Sequence, residues 1–235
     1  MLGFAWSLVV PLLMLGMYTA VFAGIFKMRW PGTSGSTVEF ALTVFVGLLL
    51  HGFVSECLAR SPQLLVSNVN FIKKVVFPLE ILPLTMIAPA VFNLVAGVAV
   101  LVAFVMLAGP GLSPSVLWLP AIVAPLVLVA LGIAWILAPA GVVVRDMSQI
   151  VGILSTGLLF LSPVFYPLSS LPDWLQVVAL ANPLSFIIEQ ARVVLLAGTA
   201  PNVAGLALYW AAALAFAAFG FACFQVARRW MADFL

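Results

Sequence analysis

Long, continuous apolar runs decide what this chain can fold into. The stretches Pro78–Ala108 and Val116–Val144 read as aliphatic and aromatic residues with small ones between them. Nine basic and seven acidic side chains, 7% of 235 residues, cannot cover a 25.0 kDa globule with groups that face water. A soluble domain carries about 25% charged and about 45–50% apolar residues. Here 66% of residues are hydrophobic and the mean hydropathy is +1.30. Lipid must be the solvent for most of this surface. A backbone in lipid satisfies its own hydrogen bonds, which leaves helices or a closed barrel. The runs lack the period-two alternation of a barrel, so helices are expected.

A helical span takes about 20 apolar residues, since each adds about 1.5 Å against a core of about 30 Å. Six segments meet that length: 2–26, 40–58, 78–108, 116–144, 147–166 and 203–227. The third and fourth are long enough to tilt or kink, and contain Pro83 and Pro89, and Pro120, Pro125 and Pro139. Each proline interrupts the hydrogen-bond ladder locally. The first apolar stretch runs on past Ala20 with no basic leader and no small-residue cleavage site, so it reads as a span, not a cleavable signal. The expectation is an all-α membrane protein in one transmembrane domain over residues 1–235.

Two further apolar pieces, Leu171–Ala181 and Pro183–Ala197, are too short to cross. Ser170 ahead of Leu171-Pro172-Asp173 forms a capping-box pattern, and Asn182 ahead of Pro183 pairs an N-cap with a first-turn proline. The pair is expected to be a helical hairpin that dips into the outer leaflet before the last span; the other option is one long interfacial loop. Six spans put both termini on one side. With the termini inside, the inner segments hold Arg60, Lys73, Lys74, Arg145, Arg228 and Arg229, against Lys27, Arg29 and Arg192 outside. The bias places both termini in the cytoplasm.

The largest inner loop, between Ala59 and Pro78, mixes Leu64, Leu65, Val69, Phe71 and Ile72 with Ser61, Gln63, Ser67, Asn68, Asn70, Lys73 and Lys74. A short helix along the inner surface fits that mixture. The other inner loop is tight, and Asp146 with Gln149 makes a capping box that starts the fifth span. A net charge of +2 is too small to point to nucleic acid. Cys57 and Cys223 lie far apart with no metal or redox spacing. The sequence contains no P-loop, no His-Glu zinc motif, no clustered carboxylates and no Ser-His-Asp set.

Several residues carry two readings each. His51, the one histidine, is either a proton relay within the second span or a hydrogen-bond partner for a neighbouring helix. Glu56 and Arg60, spaced i, i+4, form either a gating hinge or an interfacial ion pair. Glu80, just inside the third span, can meet Lys73, Lys74 or Arg60. Tyr18, Phe22, Phe26 and Trp30 recur at i, i+4, and Phe160, Phe165 and Tyr166 crowd the outer end of the fifth span. These rings either line a path for sugars, whose apolar faces stack on them, or form the ordinary interfacial belt.

The stretch GLLLHGFVSECLARSPQLLVSNVNFIKKVVFPLEILPL resembles the second span, inner coupling segment and third-span entry of type-2 ABC exporter permeases of the polysaccharide and polyol-phosphate class. LGFAWSLVVPLLMLGMYTAVFAGIFKMRWPG resembles the start of that family's first span, and VVVRDMSQIVGILSTGLLFLSPVFYPLSSLP and LANPLSFIIEQARVVLLAG resemble the family too, in order along nearly the whole chain. The resemblance implies a permease domain in the bacterial inner membrane that exports O-antigen, capsule or teichoic acid on a lipid carrier. It implies a homodimer joined to two ATPase subunits. Those subunits bind ATP and Mg, and this chain holds no cofactor of its own. It marks residues 61–74 as the coupling segment, with Ser61, Leu64, Asn68, Asn70, Phe71, Lys73 and Lys74 toward the ATPase. It makes the pieces after Tyr166 re-entrant helices, and the rings of Tyr18, Phe22 and Phe26 channel lining. Members usually carry a further segment with an amphipathic helix ahead of this point; here the sequence starts at Met1, beside Leu2-Gly3-Phe4.

Other exporters of the same architecture, for drugs or lipids, differ only in cargo. An ion-coupled secondary transporter wants ionisable groups near the midplane and repeat symmetry, for which His51 and Asn93 are thin support. A membrane-embedded enzyme lacks its catalytic constellation here.

Overall fold

The computed structural model of the chain describes residues 3–21, 37–69, 78–109 and 111–234, and the regular structure among them is helical throughout. The described α-helices are α1 (Gly3–Thr19), α2 (Thr37–Arg60), α3 (Leu82–Ala108), α4 (Leu119–Val143), α5 (Met147–Leu161), α6 (Asp173–Ala181), α7 (Pro183–Arg192) and α8 (Val203–Phe234). Single 3₁₀ turns at Leu79–Ile81 and Pro114–Trp118 lead into α3 and α4.

The long helices follow from composition. Their polar side chains are few, and several fold back on the helix itself. Thr43, Ser61, Thr85 and Ser162 hydroxyls donate to the carbonyls of Glu39, Cys57, Leu82 and Leu158. A hydroxyl satisfied this way adds little cost in lipid. Prolines enter the helix bodies as Pro11 in α1, Pro89 in α3, and Pro125 and Pro139 in α4.

Among the described residues four helices are long and apolar enough to cross a bilayer: Val38–Arg60, Leu79–Ala108, Pro114–Val143 and Val203–Arg229. The helix pair Asp173–Ala181 and Pro183–Ala197, bent by 90°, makes a fifth if it counts as one span. The first expected span appears as the 17 residues of α1, and its continuation over 22–26 lies outside the described residues. The fifth, expected over 147–166, closes as a helix of 15 residues at Leu161. Pro163 accounts for the early stop, because it disfavours the helical conformation at Ser162. Of the loop between Ala59 and Pro78, where a short inner helix is expected, the structure describes only the start, which reaches helical backbone at Val69. Ser61–Leu65 turns, one 3₁₀ turn covers Val66–Asn68, and 70–77 lie outside the described residues.

The described residues fall into two compact units. One draws on Met1–Gly52, Phe92–Val123 and Leu158–Val203. Its core gathers Phe40, Leu42, Val44 and Phe45 of α2 with Leu184, Ile187, Ile188 and Ala191 of α7. Gly47 lets Val164 approach α2: a methyl at Gly47 would lie 3.1 Å from the Val164 backbone. The other unit draws on Phe53–Val91, Ala124–Gly157 and Ala204–Leu235. Its core includes Phe53, Val54, Leu58, Leu65, Leu126, Ala130, Ala134 and Phe224.

Candidate functional site

In the second unit the chain leaves α2 at Arg60 and turns at once. Glu56 and Arg60 pair at 2.9 Å, one turn apart on the last turns of α2, both partly exposed. Ser61 is fully enclosed, with its amide and its hydroxyl both donating to the Cys57 carbonyl. Pro62 then runs directly against α4. A methyl at Gly141 would sit 2.1 Å from the Pro62 carbonyl oxygen, so only glycine admits this approach. The Gln63 amide donates to the Ser148 hydroxyl at 3.1 Å, tying the turn to the first residues of α5. Asn68 closes the segment by donating to the Leu64 carbonyl at 2.8 Å. Leu64 and Leu65 face inward, while Val66 and Ser67 are exposed.

The chain is described again from Pro78. Glu80 finds neither Lys73, Lys74 nor Arg60 as a described partner; it pairs with Arg228 of α8 at 3.2 Å. Lys73 and Lys74 lie outside the described residues. The Trp135 indole donates to the Glu80 carbonyl at 3.2 Å, and its ring meets Phe221 edge to face at 5.3 Å. Ser55 of α2 and Ser155 of α5 share a hydrogen bond of 2.6 Å.

In the first unit the focus is Arg192, at the end of α7. Its Nε donates to the Thr43 carbonyl of α2 and its Nη2 to the Val164 carbonyl, both at 3.0 Å; Nη1 pairs with Glu189 at 3.0 Å. Asn182 sits at the corner between α6 and α7. Its side chain accepts from the Leu184 amide, as an N-cap should, and its amide donates to the Ser162 hydroxyl at 2.9 Å. The capping box expected at Ser170 does not form. Pro172 precedes the first turn of α6 with an extended backbone and no side-chain cap, and Ser170 is used in the 3₁₀ turn Leu168–Ser170. Ser113 and Ser115 donate to the Gly198 and Val194 carbonyls, fastening the end of the α7 segment.

The expected channel rings are only partly described. Tyr18 is half-buried on α1, and Phe22, Phe26 and Trp30 lie outside the described residues. Phe160 is exposed; the Tyr166 hydroxyl donates to the Phe160 carbonyl and brings those two together, with Phe165 half-buried beside them in sequence. Of the expected coupling residues, Ser61 and Leu64 are buried and Asn68 half-buried; Asn70 and Phe71 lie outside the described residues, as do the two lysines. His51 is buried on α2. Sequence reasoning missed the roles of Arg192, Trp135 and Gly141. Arg192 alone gave a signal, a cation inside an apolar piece.

A profile of the ABC-2 type transporter family matches residues 1–196. The O-antigen export system permease protein RfbA of Myxococcus xanthus is 28% identical over 172 residues, 73% of this chain. The chain spans 64% of that relative's length. Two Klebsiella pneumoniae proteins of the same name are 24% identical over 202 residues and 25% over 191. Those matches cover 85% and 81% of this chain, and 74% and 71% of the relatives.

Proposed function

Because this chain belongs to the ABC-2 type transporter family, we propose that it is the membrane subunit of an ATP-driven exporter carrying a lipid-linked, O-antigen-like polysaccharide outward from the cytoplasmic side. The names of its relatives support the cargo class. The chain is one permease domain in the inner membrane, crossing it six times with both termini in the cytoplasm. α1 and α5 complete the count as spans, and the bent pair α6–α7 enters and leaves by the outer face. Two copies join two ATPase subunits, which hold ATP and Mg.

One observation carries the coupling mechanism. The start of the 61–74 segment is braced on its own unit, through Pro62 on Gly141 and Gln63 on Ser148. A segment anchored this way passes on a push instead of yielding to it. Ser61 and Leu64, being buried, act as the brace. Lys73 and Lys74, with Asn70 and Phe71, meet the ATPase. ATP binding and hydrolysis then shift the helices that flank the segment, and the polymer passes along the aromatic faces of Tyr18, Phe22, Phe26, Trp30, Phe160, Phe165 and Tyr166. Such a shift requires contacts that differ in strength between the two states.

Reversing both charges, Lys73→Glu with Lys74→Glu, is expected to abolish co-purification of the ATPase while the permease still inserts. Normal assembly and export from that double variant would sink the coupling assignment.

A further inference from the structure

We infer that Glu80 is a positioning residue: paired with Arg228, it fastens the chain just past the coupling segment to the last helix, so a push on the segment reaches α4 and α8. The inference rests on the exporter reading above.

The chain meets α4 on both sides of residues 70–77. Ahead of them Pro62 lies on Gly141 of α4. Beyond them the 3₁₀ turn Leu79–Ile81 is held twice. Trp135 of α4 donates to the Glu80 carbonyl at 3.2 Å. Arg228 of α8 reaches both carboxylate oxygens of Glu80 through one nitrogen, at 3.2 and 3.4 Å. α4 and α8 are themselves in backbone contact. A methyl at Gly220 would lie 2.5 Å from the Gly132 carbonyl oxygen, and one at Gly132 would lie 2.7 Å from the Phe216 ring. Trp135 on Phe221 adds a second contact three residues further along α4. The two helices therefore act as one lever, which holds the chain at Pro62 and again at Glu80.

The energetics fit a positioning role better than a structural one. The Arg228 and Glu80 side chains are 42% and 25% exposed. An ion pair that wet adds little to stability. It still fixes a distance, and it joins two elements 148 residues apart. The Trp135 bond runs to a backbone carbonyl, so it persists whatever side chain stands at position 80.

The test places the chain, with the ATPase subunit expressed beside it, in a strain lacking its own copy. Surface polysaccharide is read as extracted hexose, alongside ATPase co-purification and ATP hydrolysis by the purified complex. Glu80→Arg and Arg228→Glu are each expected to lower surface hexose about fivefold, the size of shift a partly exposed ion pair can supply. Bound ATPase and ATP hydrolysis should persist. The charge swap carrying both substitutions is expected to recover more than half of the loss. Single variants at the wild-type level, or a swap no better than the poorer single, overturn the inference. If either single variant fails to accumulate, Glu80→Gln keeps the shape and the Trp135 bond; reduced hexose there supports the inference, and wild-type hexose overturns it. A wild-type chain that brings down no ATPase would instead defeat the exporter reading.

Discussion

Arg192 shows what a charge needs in order to sit inside this molecule. The residue is 6% exposed, and each of its three guanidinium nitrogens has an acceptor. Two of the acceptors are backbone carbonyls far away in sequence, which only a planar fork can reach together. Arg192→Met is expected to cost about 1–3 kcal/mol, since those carbonyls lose a charged donor. Arg192→Lys should keep part of the loss, because one ammonium cannot span both. Thermal unfolding in detergent measures the series, and a methionine variant that melts with the wild type would leave these bonds without weight. Ser185 is the opposite case. Its hydroxyl is buried with no hydrogen-bond partner among the described residues. Ser185→Ala should therefore leave stability unchanged or raise it by about 1 kcal/mol. The same contrast explains what could be read at this scale. The Asn182 cap was legible because its partner lies two residues on. The partner of Glu80 was not, because Arg228 comes from the far end of the chain and no spacing rule reaches it.

At the scale of elements, length and apolarity gave the long helices, and prolines decided where the shorter ones stop. Counting apolar residues carried the fifth segment to Tyr166, but Pro163 ends the hydrogen-bond ladder sooner. The close approaches between helices were not legible. The chain has 17 glycines, and nothing local separates those that face another backbone from those that face outward. Gly132, Gly141 and Gly220 belong to the first kind, and Gly16 and Gly152 to the second, with open space where a methyl would go. Alanine at Gly132, Gly141 or Gly220 is expected to destabilise by about 1–3 kcal/mol through overpacking. Alanine at Gly152 should instead gain about 0.5–1 kcal/mol, since helical glycine carries only an entropic cost there. Melting temperatures of the four single variants test the division; equal shifts in all four would show that the backbone contacts do not constrain the fold.

For the whole molecule, the outward surface matches the composition. Leu107, Leu117, Ile153 and Leu208 are among the most exposed side chains, at 86%, 84%, 75% and 73%. That much apolar surface is stable only against lipid or a partner. The test of the proposed aromatic path belongs to this scale as well. Replacing Tyr18, Phe22 and Phe26 together with alanine is expected to reduce export far more than the amount of protein in the membrane. Wild-type export from the triple variant would return those rings to the interfacial belt.

The right-angle corner at Asn182 also bears on a parity. A segment that goes in and comes back adds zero crossings; a bent helix that passes through adds one. Between Leu112 and the C-terminus the zero-crossing arrangement, with α5 taken as a span as proposed above, leaves α4, α5 and α8, an odd number, so the two points lie on opposite faces. With one crossing more they lie on the same face. In a background without Cys57 and Cys223, a single cysteine placed at Leu112 or at Leu235 reports which holds. An impermeant maleimide applied to intact cells should label the first and miss the second. Labelling of both, or of neither, would overturn that arrangement, either because the corner is a kink in a through-going rod or because α5 stops short of a crossing.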